Sequence, residues 1–292
     1  MSDPQALQAL PALREARWLS EQEREGAALR LVDLRWSAKP PPAIERYREG
    51  HIPGSVFVDL DRDLSQAGGP GRHPFPSAQA LSALLGRIGV GPNTLVVALD
   101  DAGGSISARL WFMLHAFGHH QVSLLNGGLR AWTDAGLELT RAEPRITPVA
   151  PPTLALDQSR LVDKAQVARL LEGRPPGVLV FDARAPERYR GEVEPIDKRA
   201  GHIPGATNAP FSANLAADGR FKPPSELREI YARLGAGSAK ALIASCGSGV
   251  TACHDLLALE LAGFPAGQLY VGSWSDWSAD PATPIATGPE RG

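Results

Sequence analysis

A thiol placed where an apolar run ends is the group in this chain best able to do chemistry. The segment ASCGSGVTACHD, residues 244–255, holds both cysteines of the 292-residue sequence, Cys246 and Cys253. The run ALIAS, of strand character, leads into Cys246. Gly247, Ser248, Gly249, Val250 and Thr251 follow, and apolar residues then recur at helical spacing. A strand, a thiol, a glycine-containing loop and a helix, in that order, present an activated nucleophile. The glycines allow a tight turn and close backbone approach. A helix beginning near Val250 aims unpaired amides back at the sulfur, where they favour an anion. Such a setting lowers a thiol from its usual pKa of roughly 8.5 by one to several units, which makes a thiolate available near neutral pH. Cys253 falls inside the helix and reads as a packed small hydrophobe.

Other uses of the same residues fail on spacing. Cys246, Cys253 and His254 lack the paired arrangement of a zinc site, and neither a metal nor a cofactor is expected. A phosphatase of the Cys-loop type needs an arginine six residues after its nucleophile, and Ala252 stands there. A non-enzymatic binding module, with Cys246 merely packed, is the bland alternative; slow alkylation of Cys246 would favour it.

The elements that must carry this loop occur twice. HIPGSVFVDL (51–60) is answered by HIPGATNAPF (202–211), and LRLVDLR (29–35) by VLVFDAR (178–184). The helical pattern SAQALSALLGRIG (77–89) is answered by SELREIYARLG (225–235), LVVALDDAGGS (95–105) by ALIASCGSGVT (241–251), and VSLLNGGLRAW (122–132) by LYVGSWSDW (269–277). The chain is a tandem duplication. Short apolar runs alternating with helical patterns predict an α/β fold in each half, a parallel sheet covered by helices on both faces. Sites in such sheets form beyond the carboxyl ends of the strands, where Cys246 falls. The first unit is set at 1–145 and the second at 160–292, joined by a linker over 146–159 within the proline-rich stretch EPRITPVAPPTLALDQSR.

Composition narrows the classes of partner. With 43% hydrophobic residues the chain can bury substantial cores, and its length suits two domains. Thirty Lys and Arg oppose 32 Asp and Glu, and no basic run is long enough for a nucleic-acid stripe or a membrane patch. Two cysteines seven apart make no disulfide framework, so the chain reads as reduced and intracellular. The first 26 residues lack an apolar signal core and are too acidic for a transit peptide. No segment approaches the roughly 20 apolar residues of a membrane span, which leaves the cytoplasm as the expected compartment.

CGSGVT (246–251), the two HIPG segments, DAR with RYRGEVEP (184–195) and VGSWSDW (271–277) together resemble the two-domain rhodanese family, over residues 15 to 288. The loop is most similar to those of the 3-mercaptopyruvate sulfurtransferases, whereas thiosulfate sulfurtransferases place Arg and Lys after the cysteine. The resemblance implies tandem rhodanese-like domains. It also implies a reaction in which Cys246 takes sulfur from 3-mercaptopyruvate as a persulfide and releases pyruvate. A small-molecule donor and a thiol, cyanide or thioredoxin-like acceptor are the implied partners, and thiosulfate is the alternative donor. An uncharged loop, leaving the sulfur pocket without side-chain cations, suits a donor whose single carboxylate lies away from its sulfur. The amides of Gly247, Ser248, Gly249, Val250 and Thr251 would cradle the outer sulfur. Ser248 would relay protons with His73 and Asp61, reaching across from the first domain. Arg188 matches the carboxylate-binding arginine of the family. Its second arginine, soon after Glu-Pro, is replaced by Ile196, and Arg199 or Lys198 is the substitute. Arg184 with Asp182, Arg35 with Asp33, and the HIPG segments read as structural. Asp100 stands at the position equivalent to Cys246 and cannot carry sulfane sulfur, so the first domain is expected to be catalytically silent and to close the cleft.

Overall fold

The computed structural model describes residues 10–173 and 175–292; residues 1–9, the start of the stretch read above for a leader, and Arg174 lie outside the described residues. The apolar runs of the first half form β1 (Leu13–Arg14), β2 (Leu29–Asp33), β3 (Val56–Phe57), β4 (Leu95–Leu99) and β5 (Val122–Leu125), in the order β1-β5-β4-β2-β3. Those of the second form β6 (Leu161–Val162), β7 (Val178–Asp182), β8 (Thr207–Asn208), β9 (Ala241–Ser245) and β10 (Gln268–Tyr270), in the order β6-β10-β9-β7-β8. All pairings in both sheets are parallel. The repeat seen in the sequence is therefore a repeat of topology.

Helices connect the strands. They are α1 (Ala16–Glu25), α2 (Ala43–Glu49), α3 (Leu60–Asp63), α4 (Ala78–Arg87), α5 (Ser107–Ala116) and α6 (Gly128–Asp134), then α7 (Lys164–Gly173), α8 (Pro186–Tyr189), α9 (Pro224–Arg233), α10 (Ala252–Leu261) and α11 (Ser273–Trp277). The helix after Cys246 starts at Ala252, two residues later than the spacing suggests, so all of 246–251 is free to be loop. Nearly every side chain of α5 is buried, as are those of α10 from Ala252 to Leu259. Helices buried all round belong inside a core. These two pack against each other across the domain boundary, and one continuous cluster runs from Val32 and Phe112 in the first half to Phe181 and Leu257 in the second.

The proline-rich segment is extended but strapped down. Val149 donates to the Gly86 carbonyl, Ala155 to that of Phe117 and Asp157 to that of Ala116, at 3.0, 3.2 and 2.8 Å. At the carboxyl ends of the central strands, Arg35 is hydrogen-bonded to Asp33 and Arg184 to Asp182, both pairs buried. The two HIPG histidines stack on Tyr47 and Tyr189, with ring centroids 4.0 and 3.7 Å apart, and each bonds the carbonyl of its stacking tyrosine.

Candidate active site

Residues 246–251 hang between the end of β9 and the start of α10, and α11 holds them in place. The Cys246 amide donates to Ser273 Oγ at 3.1 Å, while its carbonyl accepts from Trp274 and that of Gly247 from Ser275, each at 2.9 Å. Gly249 has φ of +73°, and a Cβ there would stand 2.5 Å from the Val271 carbonyl oxygen, so only glycine fits. Gly247 is glycine for another reason: its backbone is ordinary, but a Cβ would sit 3.1 Å from Arg72 Nη2 and 3.5 Å from Arg188 Nη1. It clears space for guanidinium groups.

The first half shows what such a loop does to an anion. Asp100, at the end of β4, accepts from the amides of Ala102, Gly104, Ile106 and Ser107 at 2.9, 2.9, 2.9 and 2.8 Å. A carboxylate fills that cradle from within. In the second half the equivalent residue is Cys246, whose side chain stops at sulfur.

Cys246 is only 2% exposed and borders a cavity of about 630 Å³ lined from both domains, among others by Trp36, Asp61, Arg72, His73, Arg184 and Arg188. His73 Nδ1 lies 2.7 Å from Ser248 Oγ, and its Nε2 lies 2.8 Å from Asp61 Oδ1. Asp61 is set by two neighbours: Asp59 caps its backbone amide at the start of α3, and Trp36 Nε1 donates to its other oxygen at 2.9 Å. Burial pushes His73 below the usual histidine range; Asp61 opposes this, while Arg109 and Arg72 reinforce it. The imidazole is thus neutral near pH 7, with one nitrogen to donate and one to accept. Cys253 is wholly buried, its thiol pushed up to about 12 by burial and donated to the Gly249 carbonyl at 3.3 Å.

The structure brings Cys246, Ser248, His73, Asp61 and Arg188 together and leaves Arg199 out. The Arg199 guanidinium bonds the carbonyls of Trp277, Ser278, Asp280 and Thr283 and the Thr283 hydroxyl, closing the carboxyl end of α11. Lys198 is exposed and outside the cavity lining. The cation beside Arg188 is Arg72, from the first domain, ion-paired with Asp197. Asp197 also reaches Arg188 at 3.4 Å, and Glu194 holds Arg188 Nη2 at 2.7 Å. The expectation of a pocket without side-chain cations is therefore corrected, because the loop is uncharged but Arg72, Arg184 and Arg188 all border the cavity.

Sequence reasoning missed Arg72, Trp36 and Arg109. Arg72 adjoins His73, so a segment expected to reach across the interface offered a cue. Arg109 interrupts the apolar pattern SARLWFMLHAFG, where a charge has no place unless it serves a buried polar site.

A thiol in the strand-to-helix loop of the second of two α/β units, at the position where the first unit holds a carboxylate in backbone amides, defines a class of sulfur-handling domain. The chain belongs to that class: the model of the rhodanese-like domain matches residues 15–135 and again 163–280. A protein of Pseudomonas aeruginosa named "Probable 3-mercaptopyruvate sulfurtransferase" is 46% identical over 96% of this chain and 98% of its own length. A thiosulfate sulfurtransferase of Cricetulus griseus is 37% identical over 95% of this chain and 96% of its own. The solved structure of 3-mercaptopyruvate sulfurtransferase from Leishmania major superposes with a TM-score of 0.78 at 28% identity, covering 95% of this chain and 76% of that one.

Proposed function

We propose that this protein is a sulfurtransferase that takes sulfane sulfur from 3-mercaptopyruvate onto Cys246 and passes it to a thiol, cyanide or thioredoxin-like acceptor. The Cys246 thiolate attacks the donor sulfur and an S–S bond forms. The donor C–S bond breaks with its electron pair going to carbon. The proton of the donor sulfhydryl moves to that carbon, the enolate becomes pyruvate, and the persulfide keeps the negative charge. Ser248, His73 and Asp61 serve this transfer, the hydroxyl handing the proton on and the neutral imidazole receiving and returning it. Loop amides equivalent to those that hold Asp100 receive the anionic outer sulfur. Arg188 and Arg72, both beside Gly247, hold the donor carboxylate.

The observation that carries this reading is the hydrogen-bonded chain Ser248–His73–Asp61 crossing the domain boundary beside Cys246. Thiosulfate leaves sulfite and needs no such proton, although its two charges suit the same arginines. The test is kcat/KM for both donors with cyanide as acceptor. Native protein prefers 3-mercaptopyruvate. Ser248→Ala reduces turnover of that donor by at least about tenfold, about 1.4 kcal/mol, and leaves thiosulfate use nearly unchanged; Cys246→Ser abolishes both. A native preference for thiosulfate, or equal losses with the two donors, overturns the reading.

A further inference from the structure

Arg109 lies on α5 of the first domain, yet two of its nitrogens are spent on the catalytic machinery. Nη1 donates to the Gly249 carbonyl of the sulfur loop at 2.9 Å, and Nη2 donates to the carbonyl of His73. The side chain is 0% exposed, stacked over Phe75 with its guanidinium carbon 4.5 Å from the ring centroid. Among the described residues no carboxylate pairs with it, and its Nε has no acceptor. The other two buried arginines, Arg35 and Arg184 at strand ends, each hold an aspartate. A buried cation without a counterion is costly, and proteins keep one only where an anion meets it. Burial brings Arg109 down to about 10, with the sulfurs of Cys253 and Cys246 acting in the opposite sense, so it remains charged at neutral pH.

We propose that Arg109 is a positioning residue of the sulfur site, lent by the silent domain, whose unpaired buried charge is met by the anionic sulfur of Cys246. Its fork, with the Cys253 thiol, fixes the Gly249 carbonyl toward the buried core, which sets the neighbouring loop amides toward the sulfur, and ties the same loop to the backbone of the relay histidine. This rests on the reading of Cys246 as the sulfur carrier and adds the source of its charge balance.

Two variants separate charge from hydrogen bonding. Arg109→Gln keeps donors without charge, and Arg109→Lys keeps charge with a shorter reach. With folding verified by thermal unfolding, alkylation of Cys246 by neutral iodoacetamide slows at least about tenfold in the Gln variant, about 1.4 kcal/mol. In the Lys variant it stays within about threefold of native. Alkylation assays Cys246 without any donor, so it is independent of which donor the enzyme uses. Native-like alkylation in a folded Gln variant, or equal slowing in both variants, overturns the proposal. Native protein supplies an arm that survives failure of both variants to fold. In 15N-arginine spectra, the Arg109 guanidinium signal, identified by loss of its ring-current shift in Phe75→Leu, moves when Cys246 is loaded as the persulfide. A signal unmoved by loading sinks the idea.

Discussion

Arg188 gives Nη2 to Glu194 and Asp197, while its Nη1, without a hydrogen-bond partner among the described residues, stands beside Gly247, where Arg72 Nη2 also lies. Asp197 touches both guanidinium groups, and burial holds its carboxyl above the usual range despite them. One buried acid thus aligns a cation from each domain. On the proposed reading, removing either cation deletes a charge-assisted contact to the donor worth roughly 1.5 to 3 kcal/mol. Arg188→Ala and Arg72→Ala should each lower kcat/KM for 3-mercaptopyruvate by about 10- to 150-fold, and the double variant should lose less than the product because the two share Asp197. Arg199→Ala should leave KM alone and lower the melting temperature, since its bonds all close α11. Steady-state kinetics beside thermal unfolding distinguish these cases; a raised KM in Arg199→Ala would return the second cation to that position.

At the scale of elements, the loop is shaped by the segment that follows β10. The start of α11 takes the Cys246 and Gly247 carbonyls, and the turn at Val271 leaves no room for a side chain on Gly249. Gly249→Ala combines a left-handed residue, at about 1–2 kcal/mol, with contact against fixed backbone. It should lower the melting temperature by several degrees and abolish sulfur transfer. Gly247→Ala differs, because the obstructing atom is the end of the flexible Arg72 side chain. It should keep native stability and raise KM for the donor. Equal melting temperatures for the two variants would show that the Val271 contact does not constrain the loop.

For the whole molecule the two halves share one core, and a buried histidine marks the seam. His254 bonds the Gly103 carbonyl of the first domain at 3.1 Å, accepts from Asn214, and stacks on Phe221 with centroids 4.2 Å apart. Burial holds it down to about 4. The unfolded chain takes up this proton near the ordinary histidine pKa of about 6.5, well before the folded one does. The contribution of neutral His254 is therefore complete above about pH 6.5 and declines as pH falls toward 4. Urea unfolding of native protein and His254→Gln should show the stability gap narrowing over that window, by on the order of 3 kcal/mol at most. A gap independent of pH would mean that His254 does not stay neutral at the seam.

The amino-acid order by itself determined the duplication, the parallel α/β fold and the thiol to be weighed as a nucleophile, because each is written in local signals: repeated apolar runs, turn glycines, and a lone thiol at a strand's end. The resemblance of short motifs added Ser248, His73, Asp61 and Arg188, which the structure gathers around one cavity. What the sequence left undecided was whatever depends on two segments meeting. Arg199 lies nearer to Arg188 in the chain than Arg72 does, yet its fork is drawn to the bare carbonyls at the end of α11, and Arg72 arrives from more than 100 residues away. Arg109 is a cation in an apolar helix until α5 and α10 pack together and bring it under the loop. Sequence separation carries no information about such encounters; the burial of a shared apolar face fixes them, and with it which charges surround the sulfur.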